Sequence, residues 1–151
     1  MMISGNLYTA LVHLRLADIE RRLWVDAVCI NQGNVNEKNE QIPLMMDIYK
    51  HATRIVAWLG QSSNNSSIAI AAVKRLDTVE GRRGILQRKH DDQCVETLGK
   101  VYQAMMDLYD RPWFRRSWVR QEVAVAKTVR VLCGKDEVSW YSLKRSAARL
   151  E

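Results

Sequence analysis

The stretch "RIVAWLG", Arg54–Gly60, decides the fold class. It is apolar from Ile55 to Leu59 at consecutive positions, not alternate ones, and it stops at a glycine. A strand with no polar alternation is covered on two faces, which is the habit of parallel strands joined by helices. Upstream, "LWVDAVCINQ", Leu23–Gln32, begins in the same way and reads as a strand from Leu23 to Val28. Downstream, "VRVLCG", Val129–Gly134, reads as a third strand. The expected sheet has three parallel strands: Leu23–Val28, Arg54–Leu59 and Val129–Cys133.

Helical periodicity fills the intervals. Ser4 or Asn6 can cap a first helix through about Ala17, because Ile3, Leu7, Ala10, Leu11 and Leu14 recur at helical spacing. Asn36 is placed to cap a second helix with Ile42, Met45, Met46 and Tyr49 on its inner face, and Pro43 within it predicts a kink or a late start. The polar linker "GQSSNNSS" leads to a helix at Ile68–Leu76, and Glu80–Gln93 reads as an exposed loop. Val95–Tyr109 carries Leu98, Val101, Tyr102, Met105 and Leu108 on one stripe. After the Pro112 turn, Ser117 can cap a helix through Lys127; after the turn at Lys135 and Asp136, Ser139 can cap a last helix to Leu150. This order predicts an α/β fold, a small parallel sheet flanked by helices on both faces, in a single domain spanning 1–151.

Composition narrows the partners. In 151 residues, 47% apolar and 26% charged, there is material for one core. The 23 basic and 17 acidic residues leave a net charge of +6, partly in Arg111, Arg115, Arg116 and Arg120 and in the run from Arg82 to Lys89. A moderate excess without a dense stripe reads as solvated surface, so nucleic acid is not the expected partner. Cys29, Cys94 and Cys133 form no CxxC pair, which points to reduced thiols in an intracellular protein. No basic-then-apolar leader opens the chain, and the longest uncharged run, Ile55–Val73, is broken by the polar linker. The expectation is a soluble, cytoplasmic protein with no membrane segment.

Ligands of open parallel sheets bind outside the carboxyl ends of the strands. Asp26–Gln32 would lie at that end of the first strand, Gly60–Ser63 at that end of the second, and the helix from Ser117 would bring its amino end to the same rim. On that helix Val119, Val123 and Ala126 make an inner stripe, with Trp118, Glu122 and Val125 beside it. A carboxylate one turn below a tryptophan at the border of a core loses hydration, which favours its protonated form and suits acid or base work. The competing reading pairs Glu122 with Arg116 or Arg120. Asp26 either holds the following loop through backbone N–H groups or meets a ligand. Asn31 and Gln32 bring uncharged donors and acceptors that suit a polar substrate or a tight turn. Cys29 has no activating base beside it. His13, His51 and His90 are scattered, and none is assigned to a metal.

"LWVDAVCINQ", then "NEKNEQIPLMMDIYKHATRIVAWLG", then "RPWFRRSWVRQEVAVAKTVRVLCGKDEVSW" resemble, in that order, the fungal heterokaryon-incompatibility domain, over Asn6 to Trp140. The resemblance implies a cell-death module triggered when genetically unlike cells fuse, usually one part of a larger protein. That family is in turn similar, more distantly, to Toll/interleukin-receptor-type domains of flavodoxin-like three-layer architecture, many of which cleave NAD at the nicotinamide glycosidic bond. The tryptophan, three spacers and glutamate of "WVRQE" match the pattern that holds the catalytic glutamate there. Trp118 and Glu122 inherit those roles by resemblance, with Asp26, Asn31 and Gln32 on the nucleotide-binding rim. NAD is then the implied substrate, and no further cofactor is implied.

The resemblance also carries a departure. The heterokaryon domain opens with a strand of the type Y-x-A-L-S-Y-x-W-G, and nothing of that kind precedes Met1. The expectation is a domain truncated at its amino end, with one sheet edge left open and prone to self-association. Two functional readings follow: an NAD-cleaving enzyme built on Glu122, or a non-catalytic signalling module that works by self-assembly.

Overall fold

The computed structural model describes residues 3–63, 65–78 and 92–148. Its sheet is built from β1 (Ile55–Trp58), β2 (Val129–Cys133) and β3 (Asp136–Ser139), in that spatial order. β1 and β2 run parallel, Ile55 opposite Val129 and Trp58 opposite Leu132. β2 and β3 form an antiparallel hairpin with Cys133 opposite Asp136. The sheet is therefore mixed, and two of the three expected strands are present in it. The third expected strand, Leu23–Val28, is not one: Val25 is extended, and the chain then coils into a single helical turn, α2 (Asp26–Cys29). Val28 and Cys29 donate their amides back to the Val25 carbonyl, and the Asp26 carboxylate accepts the Ala27 amide at 2.8 Å. A side-chain acceptor in the middle of an apolar run offers the backbone a local partner in place of a ladder. Conversely, the segment taken for a turn at Lys135 and Asp136 continues into β3. That strand carries one buried apolar residue, Val138, and so leaves no periodic trace in the sequence.

Six further helices surround the sheet among the described residues. α1 (Gly5–Leu14) is capped by Ser4, whose Oγ accepts the Leu7 amide at 3.2 Å, and it ends at Leu14 instead of Ala17. α3 (Val35–His51) is capped by Asn34, not Asn36: the Asn34 Oδ1 accepts from both the Asn36 and Glu37 amides. A cap needs extended backbone, which Asn34 has and which Asn36, already inside the helix, does not. Pro43 sits within α3. No residue of α3 is fully buried, and Ile42 and Met46, expected on the inner face, are exposed. α4 (Ser66–Asp77) and α5 (Asp92–Tyr109) follow β1. Of the loop expected at Glu80–Gln93, residues 80–91 lie outside the described residues and the last two open α5. On α5, Met105 and Leu108 point into the core while Leu98 and Tyr102 face solvent.

A 3₁₀ turn at Pro112–Arg115 leads to α6 (Ser117–Val125), in which Ser117 is the first helical residue and Arg116 the cap position. α7 (Trp140–Ala147) is capped by Ser139 as expected, its Oγ accepting the Ser142 amide at 3.0 Å.

The core lies mainly on one face of the sheet. Ile55, Ala57, Val129, Val131 and Cys133 pack there with Ala69, Ile70 and Val73 of α4, Ala104, Met105 and Leu108 of α5, and Leu143 of α7. Each fully buried valine, isoleucine, leucine or methionine of this set contributes about 1.5–3 kcal/mol. The other face is less evenly covered: Val56, Arg130 and Leu132 are half-buried, and Arg130 meets Glu137 across the hairpin at 2.7 Å. α1 protects the edge strand β1 at one point, where Asn6 Oδ1 accepts from Trp58 Nε1 at 3.2 Å and His13 lies against the indole with ring centroids 4.9 Å apart. α3 and α6 pack on each other and reach the core through Tyr49, Ala52, Val123 and Ala126.

Candidate functional site

The residues expected on one rim divide into two groups. The first lies outside the carboxyl ends of β1 and β2. There the chain leaves β1 through Leu59 and Gly60, whose φ of +106° belongs to glycine, and leaves β2 through Gly134 at φ +56°. Gly134 donates its amide to the Gly60 carbonyl at 2.9 Å, so the two strand exits lie side by side. Arg111 holds the first of them from behind, donating from Nη1 to the carbonyls of Leu59 (3.0 Å) and Gln61 (2.9 Å) and from Nη2 to Ser63 Oγ (3.0 Å). In front of these exits is an open cavity of about 360 Å³, lined by His13, the Gln61–Ser62 step, Ser67 and the Gly134–Asp136 turn.

The second group forms where α3 meets α6. Tyr49 sits in the last turn of α3, just ahead of β1, and Glu122 in the last turn of α6, just ahead of β2. They therefore meet toward the amino ends of the strands, away from the cavity. Glu122 is half-buried, and loss of hydration pushes its carboxyl above the ordinary range for glutamate. Arg116 pulls it down, Asp26 pushes it up, and a hydrogen-bonding interaction with the Tyr49 hydroxyl pulls it down; burial prevails. The Tyr49 hydroxyl is held protonated well above its ordinary range, first by burial and then by the negative charge of Glu122 and Asp26. Trp24 meets the Tyr49 ring edge-on at 5.7 Å. Glu122 thus holds its proton more firmly than an exposed glutamate, beside a protonated Tyr49 hydroxyl, with the charges of Asp26 and Arg116 acting on it in opposite directions. A carboxyl group raised in this way is the kind of group that general acid or base chemistry uses.

Of the residues singled out from the sequence, Asp26 and Glu122 are brought together. Trp118 is 56% exposed and turns to solvent although it shares a helix with Glu122. Asn31 and Gln32 shape the loop: Asn31 Oδ1 accepts the Gly33 amide at 3.1 Å, the Asn31 amide donates to Glu37 at 2.9 Å, and Gln32 Nε2 donates to the carbonyls of Asp26 (2.9 Å) and Ile30 (3.3 Å). Cys29 is exposed and Cys133 buried, and both are free thiols. Tyr49, Trp24 and Arg116 are the members that sequence reasoning did not assign to the site. Tyr49 had one signal, an aromatic residue on the inner face of a helix whose polar tip needs a partner when buried.

Among the described residues no cluster of histidine, cysteine and carboxylate side chains could hold a metal ion. The Nδ1 atoms of His13 and His51 are engaged with the carbonyls of Thr9 and Asp47, and His90 lies outside the described residues. No helix among the described residues is long and apolar enough to cross a membrane.

No solved structure matches the chain. The chain is 30% identical, over 168 aligned positions covering 92% of its length, to heterokaryon incompatibility protein 6, OR allele, of Neurospora crassa; it spans about a quarter of that protein, 25%. The profile of the heterokaryon incompatibility protein family matches residues 1–122, a span that includes α1, α3, β1 and α6 as far as Glu122. The chain belongs to the heterokaryon incompatibility protein family.

Proposed function

We propose that the chain is the effector part of a fungal non-self recognition system, acting in the cytoplasm to kill or arrest cells when unlike cells fuse. We infer further that it does so in the manner of Toll/interleukin-receptor-type domains, by cleaving NAD at the nicotinamide glycosidic bond, with Glu122 as the catalytic carboxylate. Family membership supports the first step. The second rests on one observation: Glu122 is a desolvated carboxyl group whose affinity for a proton is raised, set among Tyr49, Asp26 and Arg116.

The bond between nicotinamide nitrogen and the ribosyl carbon breaks with its electron pair passing to the pyridinium nitrogen. Positive charge gathers on the ribose, and a fixed carboxylate beside it lowers the energy of that transition state. Water then adds to the ribosyl carbon and its proton passes to Glu122, a better acceptor for having its basicity raised by burial. ADP-ribose, nicotinamide and a proton are the products. In this reading Asp26 keeps the local field negative, Asn31 and Gln32 hold the loop that carries it toward the nucleotide, and Trp118 offers its exposed face to a ring.

The second reading, a self-assembling signalling module without turnover, draws on the apolar side chains exposed along α3, Val35, Ile42, Leu44 and Met46, and on the edge position of β1. Incubation with NAD separates the two. Nicotinamide release that disappears in Glu122→Gln supports catalysis. Concentration-dependent assembly with NAD intact in the wild-type protein refutes it and leaves the second reading.

A further inference from the structure

The cavity outside the carboxyl ends of β1 and β2 plays no part in the chemistry assigned to Glu122, yet its walls are held by hydrogen bonds of their own. Arg111 ties down the β1 exit through three hydrogen bonds, and the buried Cys133 thiol points at the Gln61 carbonyl, 3.7 Å away. The floor is equally fixed: a side chain on Gly134 would lie 2.8 Å from the Ser62 backbone nitrogen, so the two exits are packed as closely as backbone allows. The polar groups facing the cavity are oriented as well. The His13 ring is set by its Nδ1 contact to the Thr9 carbonyl at 2.9 Å and by the Trp58 indole, which leaves Nε2 as its available nitrogen. One oxygen of Asp136 is taken by the Ser67 hydroxyl at 2.7 Å, and the other has no hydrogen-bond partner among the described residues. Lys135 joins no ion pair among the described residues, although it lines the same space.

A volume of about 360 Å³ suits a small ligand. A carboxylate oxygen and an imidazole nitrogen lining one cavity can each accept a hydrogen bond from a hydroxyl group, as the two hydroxyls of a sugar diol would supply. An unpaired ammonium at the same mouth selects a negative group attached to that sugar. We propose that this cavity is a binding site for a phosphorylated sugar, free or as part of a nucleotide, with Asp136 and His13 taking the hydroxyl groups and Lys135 the phosphate. The site is separate from the Glu122 cluster and stands whether or not that cluster is catalytic.

Amide NMR of the intact chain, titrated with ribose 5-phosphate, ribose and inorganic phosphate, tests the assignment. Ribose 5-phosphate should give saturable shifts centred on Ser62, Gly134, Lys135 and Asp136, and adenosine monophosphate should compete if the source is a nucleotide. Asp136→Asn keeps an oxygen for Ser67 and should weaken binding about tenfold, as should Lys135→Gln. Ribose alone should feel the first change and phosphate alone the second. Glu122→Gln should alter none of these affinities. Shifts that fail to saturate, or equal affinity in wild type and both variants with the fold intact, overturn the proposal. So does phosphate binding as tightly as ribose 5-phosphate, which would leave the diol unrecognised.

Discussion

Gly134 and Gly99 should respond to the same substitution with opposite signs. Gly134 occupies the turn between β2 and β3 at φ +56°, and an added Cβ would stand 2.8 Å from both the nitrogen and the hydroxyl oxygen of Ser62 and 2.9 Å from its Cβ. The left-handed backbone costs an alanine about 1–2 kcal/mol, and forcing a methyl group into filled space costs about 1–3 kcal/mol. Restricting the unfolded chain returns about 0.4–1 kcal/mol. The net for Gly134→Ala is a loss of about 2–3 kcal/mol, or a melting temperature lower by about 5–10 °C in a chain of this size. Gly99 lies within α5 with nothing inside 4 Å of its hypothetical Cβ. Alanine there removes only the entropic penalty of a helical glycine, so Gly99→Ala should gain about 0.5–1 kcal/mol. Urea unfolding of both variants at constant pH measures the pair, with unchanged slopes showing that only stability has moved. If Gly134→Ala matches the wild type, the strand exits are looser than the geometry requires, and the preformed cavity floor goes with them.

Four other outcomes follow from the burial pattern. Glu122 binds its proton more tightly folded than unfolded, so folding is favoured below the ordinary glutamate range and loses stability as pH rises through the raised folded value; Glu122→Gln should flatten that part of the urea-midpoint profile against pH. Tyr49→Phe removes the hydroxyl that favours the charged carboxylate while keeping the ring against Trp24, and should move the Glu122 titration, followed by carboxyl-carbon NMR, to still higher pH. Val131→Asp places an unpaired charge at a fully buried position of the central strand and should yield no soluble folded protein. Val25→Asp, half-buried and outside the sheet, should cost about 1–2 kcal/mol and still unfold cooperatively.

Why one apolar run became a strand and another did not shows where legibility ends. Ile55–Trp58 and Val129–Cys133 were readable because each is a short apolar run handed on by a glycine in an unusual conformation, and each finds the other as a parallel partner. Leu23–Val28 has the same apolar content, but a ladder needs a neighbour. Among the described residues the segment has none, and the Asp26 carboxylate offers the Ala27 amide a partner close at hand. β3 was invisible for the opposite reason: it pairs through its backbone with β2, while its side chains, two acidic, one apolar and one hydroxyl, carry no alternation strong enough to announce it.

The site divides along the same line between local and tertiary information. The rule that ligands gather at the carboxyl ends of parallel strands draws attention to Gln61 and Ser62, which follow β1 directly, are pinned there by Arg111 and line the cavity. It placed Asp26 with them only on the premise that Leu23–Val28 was a strand of the same sheet. Once that segment coils into α2, Asp26 is free to approach the junction of α3 and α6, and its charge is felt by Glu122 and Tyr49. Helical periodicity could put Tyr49 and Glu122 each on an inward stripe. It could not show that the two stripes face one another, since that depends on how α3 and α6 cross. The consequence is chemical: a carboxyl group that would titrate normally on an isolated helix holds its proton more firmly here because a second helix removes its water and a displaced strand supplies a second negative charge. Releasing Asp26, by any change that straightened Val25–Cys29 into a ladder, should therefore lower the proton affinity of Glu122 even with α3 and α6 untouched.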